Sequence, residues 1–311
     1  MSASAYEDMP TEQLTIRSRI LKIPGLKLIQ QVGEGGMSTV WKAWDIPNQR
    51  LVAVKILNRQ FSSDGAEVRH FRAEERILEE IRHPGIVEAY DFDNGNGNWY
   101  YVMEYVDGYT FADLLRRKQH VSETDCLLIC ESIASALDYA WNDHGVVHCD
   151  IKPENIMCDS DGRVKVADLG LCQSTNVIHS EEAPDMIVGT PAYMSPEQIY
   201  ADQPLDCRAD IYCLGATLYH LSTGRTLFPI ASTDDILRAH VDPEKSAPDP
   251  RTFNPSLSEN FVRLLGHMLV KDPANRCQTW DDVLDAAQAV EEDRTILPIP
   301  EGVASSVHIG L

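Results

Sequence analysis

Val146-Val147-His148-Cys149-Asp150-Ile151-Lys152-Pro153-Glu154-Asn155-Ile156-Met157 and, shortly after it, Val164-Lys165-Val166-Ala167-Asp168-Leu169-Gly170 decide how this chain is read. Each contains a short apolar run that reads as a buried strand, and Asp161-Gly162 between them reads as a hairpin turn. Two acids, a lysine and an asparagine gather around these strands. An Asp-Gly pairing is ordinarily a turn, and Asp168-Leu169-Gly170 alone carries no chemistry. The spacing of the whole constellation is far harder to reach by chance. Asp150 is suited to accept a hydroxyl proton during attack on phosphorus, and Lys152 to neutralise a phosphoryl group. Asn155 and Asp168 offer hard oxygen ligands of the kind Mg²⁺ takes beside phosphates.

Upstream, residues 1–13 are polar, and Leu14, Ile16 and Ile20 hint weakly at a strand or a docking segment. From Leu26 the pattern is a three-strand meander over 26–32, 39–45 and 50–57, with a Gly-rich turn and then Asn48-Gln49 as connections. A helix is expected over about 66–81, ended by His83-Pro84 because a residue before proline avoids helical backbone. Strands over 86–93 and 98–106 follow, joined by an Asn/Gly turn. Beyond Gly108 the chain turns helical. Ser122 with Asp125 resembles a capping-box start. Cys126, Cys130, Ile133, Leu137 and Trp141 then share one helical face. The stretch 210–223 is apolar nearly all round and reads as a central buried helix with Gly224 as its cap. Two more helices are expected over 262–270 and 283–290. The organisation is a flexible N-terminal extension (1–23), a small β-rich lobe (24–103), a connector (104–108), a larger mainly helical lobe (109–292) and a tail (293–311).

The turn Gly33-Glu34-Gly35-Gly36-Met37-Ser38-Thr39-Val40 lets backbone approach a ligand closely, and its amides can bind phosphate oxygens. Alone it is weak evidence, since hairpins use glycine for steric reasons. It joins two strands, which excludes a Walker loop and a dinucleotide fingerprint, both of which run from strand to helix. Lys55 ends Val-Ala-Val-Lys. Val52 and Val54 share one strand face, and Ala53 and Lys55 share the other. Glu74 falls within the apolar stripe Val68, Phe71, Leu78 and Ile81 of the expected helix. A carboxylate there is costly unless paired, and Lys55 is the available partner. The alternative is that Glu74 lies at the stripe's edge and reaches water.

The chain has 311 residues, 43% hydrophobic and 24% charged, so it can bury a core. Its 27 Lys+Arg against 48 Asp+Glu give a net charge of −21. That sign opposes duplex nucleic acid and anionic membrane surfaces, and suits basic peptides or anions held in one locally positive site. No apolar run long enough to span a bilayer is found, and the first twenty residues lack the apolar region of a signal peptide. The eight cysteines show no C-x-x-C spacing, which points to reduced thiols in a cytoplasmic protein.

Read in order, G-x-G-G-M-S-x-V, V-A-V-K, a helix Glu, M-E-Y-V-D-G, H-x-D-x-K-P-x-N, D-x-G, G-T-P-x-Y-M-S-P-E, D-I-Y-x-L-G and a final K-D-P-x-x-R resemble the eukaryotic-type protein kinases. The likeness is strongest to the Ser/Thr kinases of this type in bacteria, over about 26–290. The resemblance implies an α+β, bilobal protein kinase fold, with a small β-rich N-lobe holding one key helix and a larger, mainly helical C-lobe. It implies that Val32, Gly33, Glu34, Gly35, Gly36, Met37, Ser38, Thr39 and Val40 cover the phosphates of ATP. Lys55 would hold those phosphates and pair with Glu74. Met103 would control the depth of the adenine pocket, backbone groups of Glu104 and Val106 would bind adenine, and Val40, Ala53 and Met157 would pack on its faces. Asp150 is the implied catalytic aspartate, with Lys152 and Thr190 beside it. Asn155 and Asp168 are the implied ligands of Mg²⁺, with Mn²⁺ also suited. Glu197 and Arg276 match a structural ion pair, and Asp210 an anchor of the catalytic backbone.

Three departures stand out. Ser38 replaces the third glycine of the phosphate loop, Leu169 the phenylalanine of the D-F-G triplet, and Cys149 the arginine before the catalytic aspartate. In the family that arginine binds an activation-loop phosphate, so this form of regulation is in doubt for the candidate phosphosites Ser174, Thr175 and Ser180. The implied function is transfer of the ATP γ-phosphoryl group to Ser or Thr hydroxyls of protein substrates, with autophosphorylation. The alternatives are a nucleotide-binding pseudokinase scaffold, against which Lys55, Glu74, Asp150, Asn155 and Asp168 all stand, and a small-molecule kinase, against which Gly189–Glu197 stands as a peptide-docking loop. Glu154 resembles a position that contacts a basic residue of the substrate. Neither nucleic acid nor a membrane span is expected, and a homodimer is compatible with the reading.

Overall fold

The structure is a computed structural model that describes residues 23–36, 38–58, 80–95, 97–169, 173–174 and 189–296. It divides into two compact units, the first comprising the chain to Glu80 with Val87–Val106, the second Ile81–Ile86 with the chain from Asp107.

The first unit is a five-stranded antiparallel sheet in the order β1-β2-β3-β5-β4, with β1 (Leu26–Glu34), β2 (Ser38–Asp45), β3 (Arg50–Leu57), β4 (Ala89–Gly95) and β5 (Asn98–Glu104). The alternation of β3 sets its sidedness. Val52, Val54 and Ile56 enter a core with Ile23, Ala43, Tyr100 and Val102, which turns Ala53 and Lys55 to the opposite face. The strand expected over 86–93 begins later, at Ala89. Ile86 instead makes a parallel bridge to Val166, and Gly85 O accepts from Val166 N–H at 2.8 Å, so 81–86 belongs with the second unit. The helix expected over 66–81, with Glu74, lies outside the described residues apart from its last two positions, and neither Glu80 nor Ile81 is helical.

The second unit is built on two helices, α2 (Glu123–His144) and α4 (Cys207–Thr223). Ser122 caps α2 by accepting from the Asp125 N–H, and Cys126, Cys130, Ile133 and Leu137 are buried along one face, with Trp141 half-buried. Helix α4 is buried nearly all round, as its composition demands, and ends at Gly224 in left-handed backbone (φ 69°), where a β-carbon would meet Gln119 O at 2.1 Å. Helices α6 (Glu259–Met268) and α7 (Trp280–Glu291) pack on this frame, each starting about three residues before the apolar pattern because Ser258 and Thr279 cap them. Three further helices are α1 (Phe111–Arg117), α3 (Pro196–Tyr200) and α5 (Thr233–Val241), each started by a serine or threonine cap; α1 and α3 are too short to show a period. A three-stranded sheet has the order β6 (Gly108–Thr110), β8 (Ile156–Asp159), β9 (Val164–Val166), and β7 (Val146–Val147) pairs with β10 (Gln173–Ser174), so the residues 148–155 link the two sheets.

Candidate active site

In the first unit the Gly-rich turn closes with Gly35 N–H donating to Ser38 O at 2.8 Å, and Gly33 and Glu34 pair with Val40 and Thr39. Asn58 Nδ2 donates to Gly36 O at 3.3 Å, and Trp41 Nε1 to Thr39 Oγ1 at 3.2 Å. Ser38 is buried opposite Leu57 in ordinary strand backbone, which needs no glycine. Val32 is exposed, and Met37 lies outside the described residues. Lys55 sits between Val40 and Tyr101 in the sheet, with its ammonium 5.5 Å from the Tyr101 ring. Ala53 lies opposite Met103 on β5, where Glu104 N–H donates to Glu88 O at 2.8 Å and buried Val106 ends the unit.

In the second unit Asp150, Lys152 and Thr190 form a closed triangle. Lys152 Nζ lies 2.6 Å from Asp150 Oδ2 and donates to Thr190 Oγ1 at 2.7 Å, and the threonine hydroxyl donates to Asp150 Oδ1 at 2.6 Å. Asn155 Nδ2 donates to Asp150 O at 2.8 Å and to Asp150 Oδ2 at 3.1 Å. Both bonds use the amide nitrogen, so they orient the side chain and leave Oδ1 as the outward acceptor. Met157 is half-buried on β8 opposite Lys165, while Asp168 is exposed and held in left-handed backbone (φ 61°).

The backbone before Asp150 is tightly fixed. Asp210 accepts from His148 N–H at 2.6 Å and from Cys149 N–H at 2.8 Å. Burial pushes the Asp210 carboxyl up to about 6, against the pull of these two N–H donors. The buried His148 takes Asp150 N–H on Nδ1 at 3.3 Å, which leaves Nε2 to donate to Ala167 O at 3.2 Å. Ala167 N–H returns to Asn155 O at 2.8 Å, so the histidine and the asparagine tie the Asp150 segment to the residue before Asp168. Cys149 is buried with φ 67°, a conformation costing about 1–3 kcal/mol outside glycine. Leu169 is buried. Thr175, Ser180 and the side chain of Ser174 lie outside the described residues.

Glu197 on α3 receives a two-pronged bond from Arg276, at 2.6 and 3.1 Å. Glu154 is exposed, and Tyr193 shares a 2.8 Å hydrogen bond with His220 Nδ1, whose ring burial lowers to about 4. Sequence reasoning assigned no role to His148 or Gln198. Gln198 carried a readable signal, the S-x-x-Q pattern of a capping box at Ser195, but nothing in that pattern pointed toward Asp150.

Residues 26–291 match the family model described as protein kinase domain. The chain is 34% identical over 272 residues to serine/threonine-protein kinase PrkC of Bacillus subtilis, covering 86% of this chain and 41% of the relative. It is 32% identical over 289 residues to serine/threonine-protein kinase PknA of Corynebacterium glutamicum, covering 91% and 60%. It is 33% identical over 273 residues to serine/threonine-protein kinase pkn3 of Myxococcus xanthus, covering 85% and 49%. The chain thus spans between about two fifths and three fifths of the length of these relatives. The likeness runs through the sheet that carries Lys55 and the triangle around Asp150 alike, and the chain belongs to the protein kinase domain family.

Proposed function

We propose that this chain is a protein serine/threonine kinase, transferring the γ-phosphoryl group of ATP to Ser or Thr hydroxyls of protein substrates. The triangle of Asp150, Lys152 and Thr190, braced by Asn155, is the observation that supports it best. Asp150 orients the attacking hydroxyl and takes its proton. Lys152, already in contact with that carboxylate, supplies positive charge where phosphoryl charge develops. Thr190 belongs to the segment Gly189–Glu197 and ties a peptide-docking loop to the catalytic carboxylate. The oxygen donors of Asn155 and Asp168 fit Mg²⁺, and Mn²⁺ as well. When bound, the ion would neutralise phosphate charge. In the first unit, Lys55 and the amides of the Gly-rich turn would hold the nucleotide phosphates. No observation favours the pseudokinase reading.

Incubation with labelled ATP, Mg²⁺ and a generic basic protein tests the proposal. Label is expected on serine or threonine, and nucleotide binding with no transfer would overturn it. Among the described residues no helix is long and apolar enough to cross a membrane, and the seven described cysteines are all free thiols. Those thiols and the use of ATP support a cytoplasmic place of action.

Lys55→Ala is expected to lose roughly 10- to 100-fold in kcat/KM for ATP, the worth of a charged hydrogen-bond pair of about 1.5–3 kcal/mol. A variant within twofold of the parent would remove Lys55 from the nucleotide site. Glu74→Gln, if silent in both turnover and ATP affinity, would remove the proposed ion pair.

Regulation follows from Cys149. Residues 170–189 contain Glu181, Glu182 and Asp185 with no Lys or Arg, and Cys149 stands where the family's phosphate-binding arginine would be. A phosphate there adds negative charge without its usual cationic partner. The triple variant Ser174→Ala, Thr175→Ala, Ser180→Ala is expected to keep activity on an added substrate within about threefold. A loss of about tenfold, or ~1.4 kcal/mol in barrier, would show that another cation has replaced the arginine.

A further inference from the structure

Gln198 is buried on α3, at 4% exposure, next to the ion-paired Glu197. Its side-chain amide does two separate things. Oε1 accepts from Ser195 N–H at 3.0 Å, from Ser195 Oγ at 3.1 Å and from the Cys213 thiol at 3.1 Å, closing the capping box of α3. Nε2 donates to Cys149 O at 2.7 Å. A glutamate would serve the capping box equally well, since either side chain supplies the acceptor. The second bond needs a donor, and only an amide meets both demands together.

The position of that second bond gives it consequence. Cys149 holds left-handed backbone, which residues with a β-carbon avoid. Its N–H is held by Asp210 at 2.8 Å, and the N–H of Asp150 by His148 at 3.3 Å. The Gln198 bond grips the carbonyl between them, so the peptide linking Cys149 to Asp150 is restrained at both its oxygen and its nitrogen. Gly189 packs against the same bond. A β-carbon there would lie 3.0 Å from Cys149 O and 3.2 Å from Gln198 Nε2. The next residue is Thr190, which bonds Asp150 directly. One amide therefore backs the catalytic aspartate from its own chain and from the substrate loop.

We propose that Gln198 is a positioning residue for phosphoryl transfer, its Nε2–H locking the peptide before Asp150 so that the carboxylate is held for the incoming hydroxyl. The inference rests on Asp150 being the catalytic aspartate. Displacing a reacting group by a fraction of its working distance lowers the rate without touching nucleotide affinity. Steady-state kinetics on Gln198→Glu, Gln198→Met and Cys213→Ala, with thermal melts of each, test it. Gln198→Glu keeps the acceptor of the capping box and turns the donor into an oxygen facing Cys149 O. It is expected to lower kcat about tenfold or more, with KM for ATP within twofold of the parent. Gln198→Met should show the same split, and it decides the matter if the glutamate variant does not fold. Cys213→Ala, which removes a partner of Oε1 and spares the donor, should keep kcat within about twofold. Gln198 variants with kcat within threefold of the parent, or with kcat and ATP affinity falling together in step with melting temperature, overturn this inference and leave the kinase reading standing. A parent chain that transfers no phosphate removes both.

Discussion

Asp150→Asn is expected to lower phosphoryl transfer by about 10²–10⁴, the usual worth of a positioned base, while ATP affinity stays within about twofold. The substitution keeps the side chain's shape and its bonds to Lys152 and Asn155, and reverses only the bond to Thr190. Asp150 Oδ2 is met by Lys152 Nζ at 2.6 Å and Asn155 Nδ2 at 3.1 Å, and Oδ1 by the Thr190 hydroxyl at 2.6 Å. An asparagine placed with its oxygen toward Lys152 and Asn155 turns its NH₂ to the threonine hydroxyl, which accepts as readily as it donates. What disappears is the negative charge and the site for a proton. The expected loss corresponds to about 3–5 kcal/mol in barrier. Single-turnover rates with saturating ATP measure it apart from binding. Turnover within threefold of the parent would mean that the hydroxyl loses its proton elsewhere, and Asp150 would be a structural acceptor.

Much of this architecture was legible because burial leaves a period. The alternation of Val52 and Val54 puts Ala53 and Lys55 on the other face of β3, and the core of the first unit obeys it, with Ile56 joining the same face. The spacing Cys126, Cys130, Ile133, Leu137 placed α2, and the unbroken apolar run after Asp210 placed α4. Where short-range bonds between polar groups set the structure, no period survives. Helices α1 and α3 are one to two turns long, held by capping boxes at Thr110 and Ser195. The Ile86 bridge to Val166 draws 81–86 out of the β-rich unit, and a strand pattern cannot say which sheet it will join. The residues of the candidate site were readable as residue types at fixed spacing. Its wiring was not: the orientation of the Asn155 amide, the His148 link to Ala167 and the Gln198 grip on Cys149 all depend on which atom of a side chain faces which neighbour.

Arg276→Met is expected to cost about 3–5 kcal/mol of folding stability, because it strands a carboxylate that the fold has partly removed from water. The arginine side chain is 0% exposed and Glu197 17%. All five guanidinium N–H groups are used. Nε donates to Val270 O at 2.8 Å, one terminal nitrogen to Glu197 Oε1 at 2.6 Å and to Arg208 O, the other to Glu197 Oε2 at 3.1 Å and to Lys271 O at 3.0 Å. Methionine fills the volume and satisfies none of these acceptors. At roughly 2–4 °C per kcal/mol for a domain of this size, the melting temperature should fall by about 6–20 °C. The double variant Glu197→Gln, Arg276→Met removes the stranded charge and should recover part of the loss, giving a coupling of about 1 kcal/mol or more. A single variant melting within 2 °C of the parent, or a double variant as unstable as the sum of the two, would show that the pair holds little of the fold. The effect should also reach catalysis. Glu197 precedes Gln198 on a helix of five residues, so releasing one end of α3 loosens the amide that holds Cys149. Residual folded Arg276→Met protein should therefore lose kcat before it loses affinity for ATP, the same split expected when Gln198 itself is changed.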